Sequence, residues 1–318
     1  MEAVSPARAG VGAERPFFVV GCPRSGTTLL KSMLDAHPRL AIPYESHFLV
    51  GQGPHQRWWR RKPTASVDTI LAHPCVQRWD LDPARARAAV AAAHPQSFSE
   101  LSAILFDLYA ADHGKQRWGD KTPGYVTYIP LIDELFPTAQ FIHIVRDGRE
   151  VAVSLSERGW GPASPIAGAF WWRRKTRAGL RAGRALAPGR YLEVHLEDLV
   201  ADSERELHRI SSFLGEDYAP QMLDYPGRVE APWEDPAATM HLTKEPTAEL
   251  RDWRTGRGPV EQEAIESACA PLLAELGYPP ARRTGRGIAY AYTIRLRDIP
   301  GRVPVEIRLR RSRQTRLF

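Results

Sequence analysis

The chain has 318 residues, 43% of them hydrophobic and 25% charged, a composition that excludes a disordered, collagenous or simple coiled-coil main state. It holds no run of about 18 apolar residues, so no membrane-spanning helix is expected. The net charge of +6 is unevenly placed: residues 281–318 carry eleven Arg against Asp298 and Glu306, a net +9, which leaves the other 280 residues at −3.

Residues 1–16 are small and polar, are broken by Pro6 and Pro16, and read as a disordered lead without the apolar stretch of a secretory signal. Phe17-Phe18-Val19-Val20 is a short continuous apolar run, the pattern of a strand buried on both faces. A loop, Cys22 to Gly26, leads into a helix whose apolar face is Leu29, Leu30, Met33 and Leu34, stopped by His37-Pro38. Leu40-Ala41-Ile42 predicts a second strand, with Glu45 just past its end.

Residues 46–116 give no strand signal and are expected to be helices covering one edge of a sheet. Trp118-Gly119-Asp120-Lys121 resumes the core, and helices are predicted within 125–136 and near 149–158. Between them Phe141-Ile142-His143-Ile144-Val145 is a second clear buried strand. A helix over 165–186, a strand at Tyr191-Leu192-Glu193-Val194, and helices over 204–214 and 260–276 follow. Apolar strands alternating with helices predict an α/β fold of three layers around a mainly parallel sheet, one domain over residues 17–280.

Beyond it, Tyr290, Tyr292, Ile294 and Leu296 alternate with small or basic residues. Val303, Val305, Ile307 and Leu309 do the same after Asp298-Ile299-Pro300-Gly301. This predicts a basic C-terminal hairpin in 281–318. Its charge suits a solvated edge, another subunit, nucleic acid or a membrane surface.

Cys22, Cys75 and Cys269 are odd in number and far apart, which fits neither a disulfide framework nor a zinc cluster and predicts a cytoplasmic, reducing setting. Gly21-Cys22-Pro23-Arg24-Ser25-Gly26-Thr27-Thr28 has the spacing of a phosphate-binding loop, with Thr27 where nucleotide hydrolases carry lysine. Backbone N–H groups and the helix N-terminus bind an anion there, Gly26 permits close approach, and the Ser25, Thr27 and Thr28 hydroxyls add donors. The next apolar strand ends in Val145-Arg146-Asp147, which presents a cation before any metal ligand. Such a site suits a nucleotide that gives up something other than a phosphoryl group. Arg146 at a strand's carboxyl end, and Ser154 and Arg158 four apart on the next helix, suit a second phosphate.

The loop with Leu29, and Leu34-Asp35-Ala36-His37-Pro38 after it, resembles the 5′-phosphosulfate loop of sulfotransferases that use 3′-phosphoadenosine 5′-phosphosulfate, PAPS. Val145-Arg146-Asp147-Gly148-Arg149 with Ser154 resembles their 3′-phosphate motif. The resemblance extends to Asp120-Lys121-Thr122-Pro123, to Leu214-Gly215 and to the stretch from Pro271 to Tyr278. It is closest to the branch of tyrosylprotein sulfotransferases and related bacterial enzymes.

It implies that Arg24, Ser25, Gly26, Thr27 and Thr28 bind the 5′ end and Arg146 and Ser154 the 3′-phosphate, to which the helical spacing adds Arg158. It implies that Glu45, twenty-one residues after Arg24, is the general base, that Lys121 stabilises the leaving group, and that Arg24 lies beside the sulfate. His47 is a rival base.

Two departures stand out. His195-Leu196 precedes Glu197 where relatives carry tyrosine or serine, and Asp252 precedes Trp253 where they carry a cation, leaving Arg251 or Arg254 as its substitute. A stretch with Thr243 and Lys244 is expected to close over the nucleotide, and Trp58, Trp59, Trp160, Trp171 and Trp172 are candidates for an acceptor cleft.

The expected activity is sulfuryl transfer from PAPS, leaving adenosine 3′,5′-bisphosphate (PAP), to a hydroxyl or amine of a small molecule or glycolipid. No metal and no specific nucleic acid are expected. A protein tyrosine acceptor, a phosphate-loop kinase or hydrolase, and a non-enzymatic binding module are the alternatives. A homodimer and a peripheral membrane contact through the tail stay open.

Overall fold

The computed structural model describes residues 15–50, 67–225, 252–279 and 281–297. Phe17-Phe18-Val19-Val20 has no polar side for water, and it becomes the middle strand, β1 (Phe17–Gly21), of a five-stranded sheet. The others are β2 (Leu40–Ala41), β3 (Arg117–Lys121), β4 (Gln140–Val145) and β5 (Tyr191–His195). Their order is β2-β3-β1-β4-β5 and every pairing is parallel. Val19 pairs with Lys121 and Gly21 with Ile144, so the carboxyl ends of the three central strands lie at one edge of the sheet, where α/β folds place their ligands.

The two faces follow the period-two pleat of β1. Phe18 and Val20 enter a core with Phe106, Trp118, Phe136 and Phe141, in which the Phe18 and Phe141 rings stack at 5.5 Å. Phe17 and Val19 enter another with Leu30, Leu34, Ile142, Ile144 and Leu207.

The helices α1 (Thr27–Asp35), α2 (Val67–Leu71), α3 (Pro83–Ala93), α4 (Phe98–Asp112) and α5 (Ile129–Leu135) come before β4. After it come α6 (Gly148–Ser156), α7 (Pro165–Gly183), α8 (Leu196–Ala201), α9 (Ser203–Leu214) and α10 (Pro259–Glu275). α4 packs beside β3 at the β2 edge, and α1 and α9 cover the opposite face, which makes three layers. A third core, built from Val151, Leu155, Ile166, Trp172 and Leu272, joins α6, α7 and α10.

Three expectations need correction. The first arm of the predicted hairpin is a helix, α11, over 285–297. Its buried positions are Gly287, Ala291 and Ile294, spaced four and three apart, while Tyr290, Tyr292 and Leu296 are exposed. At Gly287 a Cβ would stand 2.6 Å from the Glu263 carbonyl oxygen, so glycine lets α11 lie directly on α10. The 281–297 stretch therefore belongs to the main body; the second arm, 303–309, lies outside the described residues.

Secondly, Arg117–Lys121 is a full strand, hidden in the sequence by its polar side chains. Arg117 is buried because its guanidinium donates to the Leu214 carbonyl, Glu216 and Gln140. Thirdly, α6 ends at Ser156, so Arg158 lies in the following turn and shares no helical face with Ser154. Of the expected disordered lead, residues 1–14 lie outside the described residues, whereas Arg15 and Pro16 accept hydrogen bonds through their carbonyls from Arg117 and Gln140.

Candidate active site

The loop after β1 turns tightly, with the Ser25 amide donating to the Cys22 carbonyl at 3.1 Å. Arg24 and Gly26 both take positive φ, 75° and 93°. At Gly26 that conformation, with a Cβ that would meet the Leu196 side chain at 2.5 Å, leaves room only for glycine. Gly26 is also the N-cap of α1 and supplies no side-chain cap, so the first amides of α1 point outward at the loop. The Ser25 hydroxyl is buried and has no hydrogen-bond partner among the described residues. Uncapped amides and an unsatisfied buried hydroxyl fit a phosphate or sulfate group.

Arg146 and Ser154 converge on this loop. Arg24 donates through Nε to Ser154 Oγ at 3.0 Å, and Arg146 donates through Nη1 to the Arg24 carbonyl at 3.3 Å. Arg146 also pairs through Nε with Glu150, one helical turn on, at 3.1 Å. The peptide after Arg146 is braced: the Asp147 amide donates to Glu197 Oε1 at 2.9 Å, and Tyr278 donates its hydroxyl to Glu197 Oε2 at 2.9 Å. Asp147 itself caps α6 at the Arg149 amide and takes the Arg149 guanidinium through both oxygens.

The other half of the site comes from β2 and β3. Lys121, 2% exposed, donates to Glu45 Oε1 at 2.8 Å and stands 3.5 Å from Thr28 Oγ1. Glu45 Oε2 is 2.9 Å from Nε2 of His47, which adopts a left-handed φ of 53°. Burial alone would raise the Glu45 pKa, but the Lys121 ammonium and the His47 bond outweigh it and hold the carboxyl at about 2. Asp120 lies beneath this pair, and burial pushes its carboxyl up to about 6 against the lowering effect of bonds to Ser46 and Thr122. Cys22 is sealed under the loop, and burial pushes its thiol up to about 12.

The structure thus brings together Arg24, Ser25, Gly26, Thr27, Thr28, Glu45, Lys121, Arg146 and Ser154, with both candidate bases bonded to one another. Of the expected acceptor tryptophans, the described ones differ in exposure, and Trp171 is half-buried. Trp172 is fully buried in the third core, Trp160 is exposed, and Trp58 and Trp59 lie outside the described residues, as do Thr243, Lys244 and Arg251. Arg254 lies over the Trp253 ring at 4.5 Å and Arg149 over the same ring at 5.6 Å. Glu150, Ser46 and Tyr125 were not singled out by sequence; Glu150 alone had a signal, its i,i+4 spacing from Arg146. Among the described residues no group of three or more His, Cys, Asp or Glu side chains could hold a metal ion.

A family model described as Sulfotransferase family matches residues 16–220. Protein-tyrosine sulfotransferase 2 of Gallus gallus is 26% identical over 275 residues, covering 83% of this chain and 69% of that protein. The nodulation protein NoeE of Sinorhizobium fredii is 27% identical over 295 residues, covering 85% of this chain and 67% of its own. Among solved structures, the sulfotransferase domain of the Synechococcus PCC 7002 olefin synthase superposes with a TM-score of 0.63 at 26% identity, over 84% of this chain and 97% of that one.

Proposed function

Since the chain belongs to the Sulfotransferase family, and is an enzyme on that ground, we propose that it transfers the sulfuryl group of PAPS to a hydroxyl of a small-molecule or glycolipid acceptor. The observation that carries this reading is the Glu45–Lys121 ion pair, 2.8 Å long, set beside an anion-binding loop that lacks the lysine of nucleotide hydrolases.

PAPS supplies the sulfuryl group and, once that is lost, leaves as PAP. The loop from Arg24 to Thr28 holds the 5′ end with backbone amides and hydroxyls. Arg146, with Ser154, takes the 3′-phosphate, where guanidinium gives charge-assisted contacts. Lys121 sets positive charge beside the oxygen that gains charge as the O–S bond breaks. Glu45 accepts the acceptor's proton. A carboxyl near 2 is a weak base for a free alcohol, but the alcohol proton becomes acidic as the new O–S bond forms, and the carboxylate is ionised and in place throughout the physiological range.

A tyrosine in a protein is the second reading for the acceptor, favoured by relatives named protein-tyrosine sulfotransferase. Incubation with sulfur-labelled PAPS and a panel of alcohols, phenols, glycolipids and tyrosine peptides separates the two. Labelled product from the first three classes alone supports the first reading, and labelled peptide alone supports the second. Magnesium-dependent ATP turnover with no sulfuryl transfer would overturn both.

A further inference from the structure

The segment carrying Glu45 has no regular secondary structure between β2 and residue 50, so its position must come from elsewhere. It comes from the end of β3. Residues 45–47 and 120–122 face each other, with the Glu45–Lys121 pair in the middle. On either side of Lys121, Asp120 Oδ2 and Thr122 Oγ1 both accept from the Ser46 amide, at 3.3 and 3.1 Å. The Ser46 hydroxyl is 2.8 Å from the Tyr125 hydroxyl, which in turn accepts from the Leu49 amide at 3.2 Å. Ser46, Asp120, Thr122 and Tyr125 are all buried.

We propose that Asp120 is a positioning residue for turnover: with Thr122 and Tyr125 it fixes the backbone at Ser46 and thereby sets Glu45 against Lys121. The proposal rests on the roles given above to Glu45 and Lys121. β3 is hydrogen-bonded to strands on both sides, so it is a rigid support, and the loop borrows that rigidity through Asp120 on the strand and through Thr122 and Tyr125 in the turn that follows it. A carboxyl is a costly choice for a purely structural peg. Its Oδ1 is buried with no partner among the described residues, and an uncharged acceptor would have held the Ser46 amide without that desolvation. What the carboxyl adds is a strong acceptor whose position is tied by one peptide bond to the leaving-group lysine. Sub-ångström placement is what such a site requires, since a misplacement of about 1 Å can cost about a hundredfold in rate.

The test uses the full chain, sulfur-labelled PAPS and p-nitrophenol as acceptor, with water as the acceptor if the phenol is not taken. Asp120→Ala should lower kcat by roughly ten- to a hundredfold, leave PAP affinity by calorimetry within about threefold, and leave KM for PAPS nearly unchanged. Asp120→Asn, which keeps an acceptor for the Ser46 amide, should recover most of the loss. In a Glu45→Gln background, Asp120→Ala should add less than about twofold, because residues acting as a unit are non-additive.

Equal losses in kcat, PAP affinity and thermal midpoint would overturn the proposal, as would an undiminished effect in the Glu45→Gln background. If Glu45→Gln alone keeps normal turnover, the base assignment is what fails, and the single Asp120 variants report that separately. Should Asp120→Ala not fold, Tyr125→Phe removes the hydroxyl shared by Ser46 and Leu49, and it must show the same kcat-only pattern at smaller size.

Discussion

The two halves of the site are built from different materials. On the β1–β4 side the proposed binding groups are backbone amides at the start of α1, presented by a turn that needs Gly26, together with short hydroxyls and the guanidinium of Arg146, whose following peptide is braced by Glu197. On the β2–β3 side they are buried side chains: Lys121, Glu45, Asp120 and the hydroxyls around Ser46. Backbone geometry is cheap to keep and tolerant of pH, which suits holding a nucleotide. Buried charges are costly and strongly coupled, which suits chemistry and makes that half the more sensitive to a single atom.

The largest effect expected from separating the halves is on rate alone. Glu45→Gln keeps size and removes basicity, so kcat should fall by about 10²–10⁴-fold while PAP affinity stays within a few-fold. Calorimetry alongside initial rates checks this; matched losses in both would erase the division. The converse variant, Arg146→Ala, should weaken PAP by about tenfold or more, because a charge-assisted contact to phosphate contributes about 1.5–3 kcal/mol. AMP, lacking the 3′-phosphate, should bind the variant and the parent alike.

The third effect is on stability without chemistry. Ile294 in α11 is 7% exposed in the third core, which Cys22 of the loop also enters, but Ile294 is not itself one of the loop or strand-end residues given a role in the site. Ile294→Ala should cost about 2 kcal/mol or somewhat more in urea unfolding and leave kcat unchanged.

The last effect is a pH signature that tells the two carboxyls of one half apart. Glu45 sits at about 2 against an ordinary 4.5, so the stability it contributes is complete above about pH 4.5 and is lost as the pH falls toward 2. Asp120 sits at about 6 against an ordinary 3.8, so its contribution runs the other way and stability falls as the pH rises from about 4 to 6. Urea midpoints measured across that window should decline in the parent and decline less steeply in Asp120→Asn, where Asp107, also raised to about 6 by burial, still contributes.

The same division sets what could be read from sequence. β1 and β4 are legible because strands buried on both faces must be apolar throughout, and the phosphate loop because its spacing is a backbone requirement. β3 is illegible by that rule: Arg117 and Lys121 are buried only because Glu216, Gln140 and Glu45 come to meet them, across 99, 23 and 76 residues of chain. Glu45 and Lys121 were reachable through family resemblance, whereas Asp120's bond to the Ser46 amide needed coordinates. α11 misled for a different reason. Three of its large residues, Tyr290, Tyr292 and Leu296, alternate but are exposed, and of its contact face Gly287 and Ala291 carry little hydrophobic signal, which leaves Ile294 alone to mark it. Arg158 shows that the end of a helix is harder to place than its existence.

Cys22 lies within the loop proposed to hold phosphate, where a reactive thiol would be open to oxidants and alkylating agents. Its burial under the loop removes that hazard. With the thiol pushed up to about 12 by burial, it stays protonated at neutral pH, and thiolate is the form that oxidants and alkylating agents attack. The loop can therefore use a small, polarisable side chain as packing without making its geometry depend on redox state.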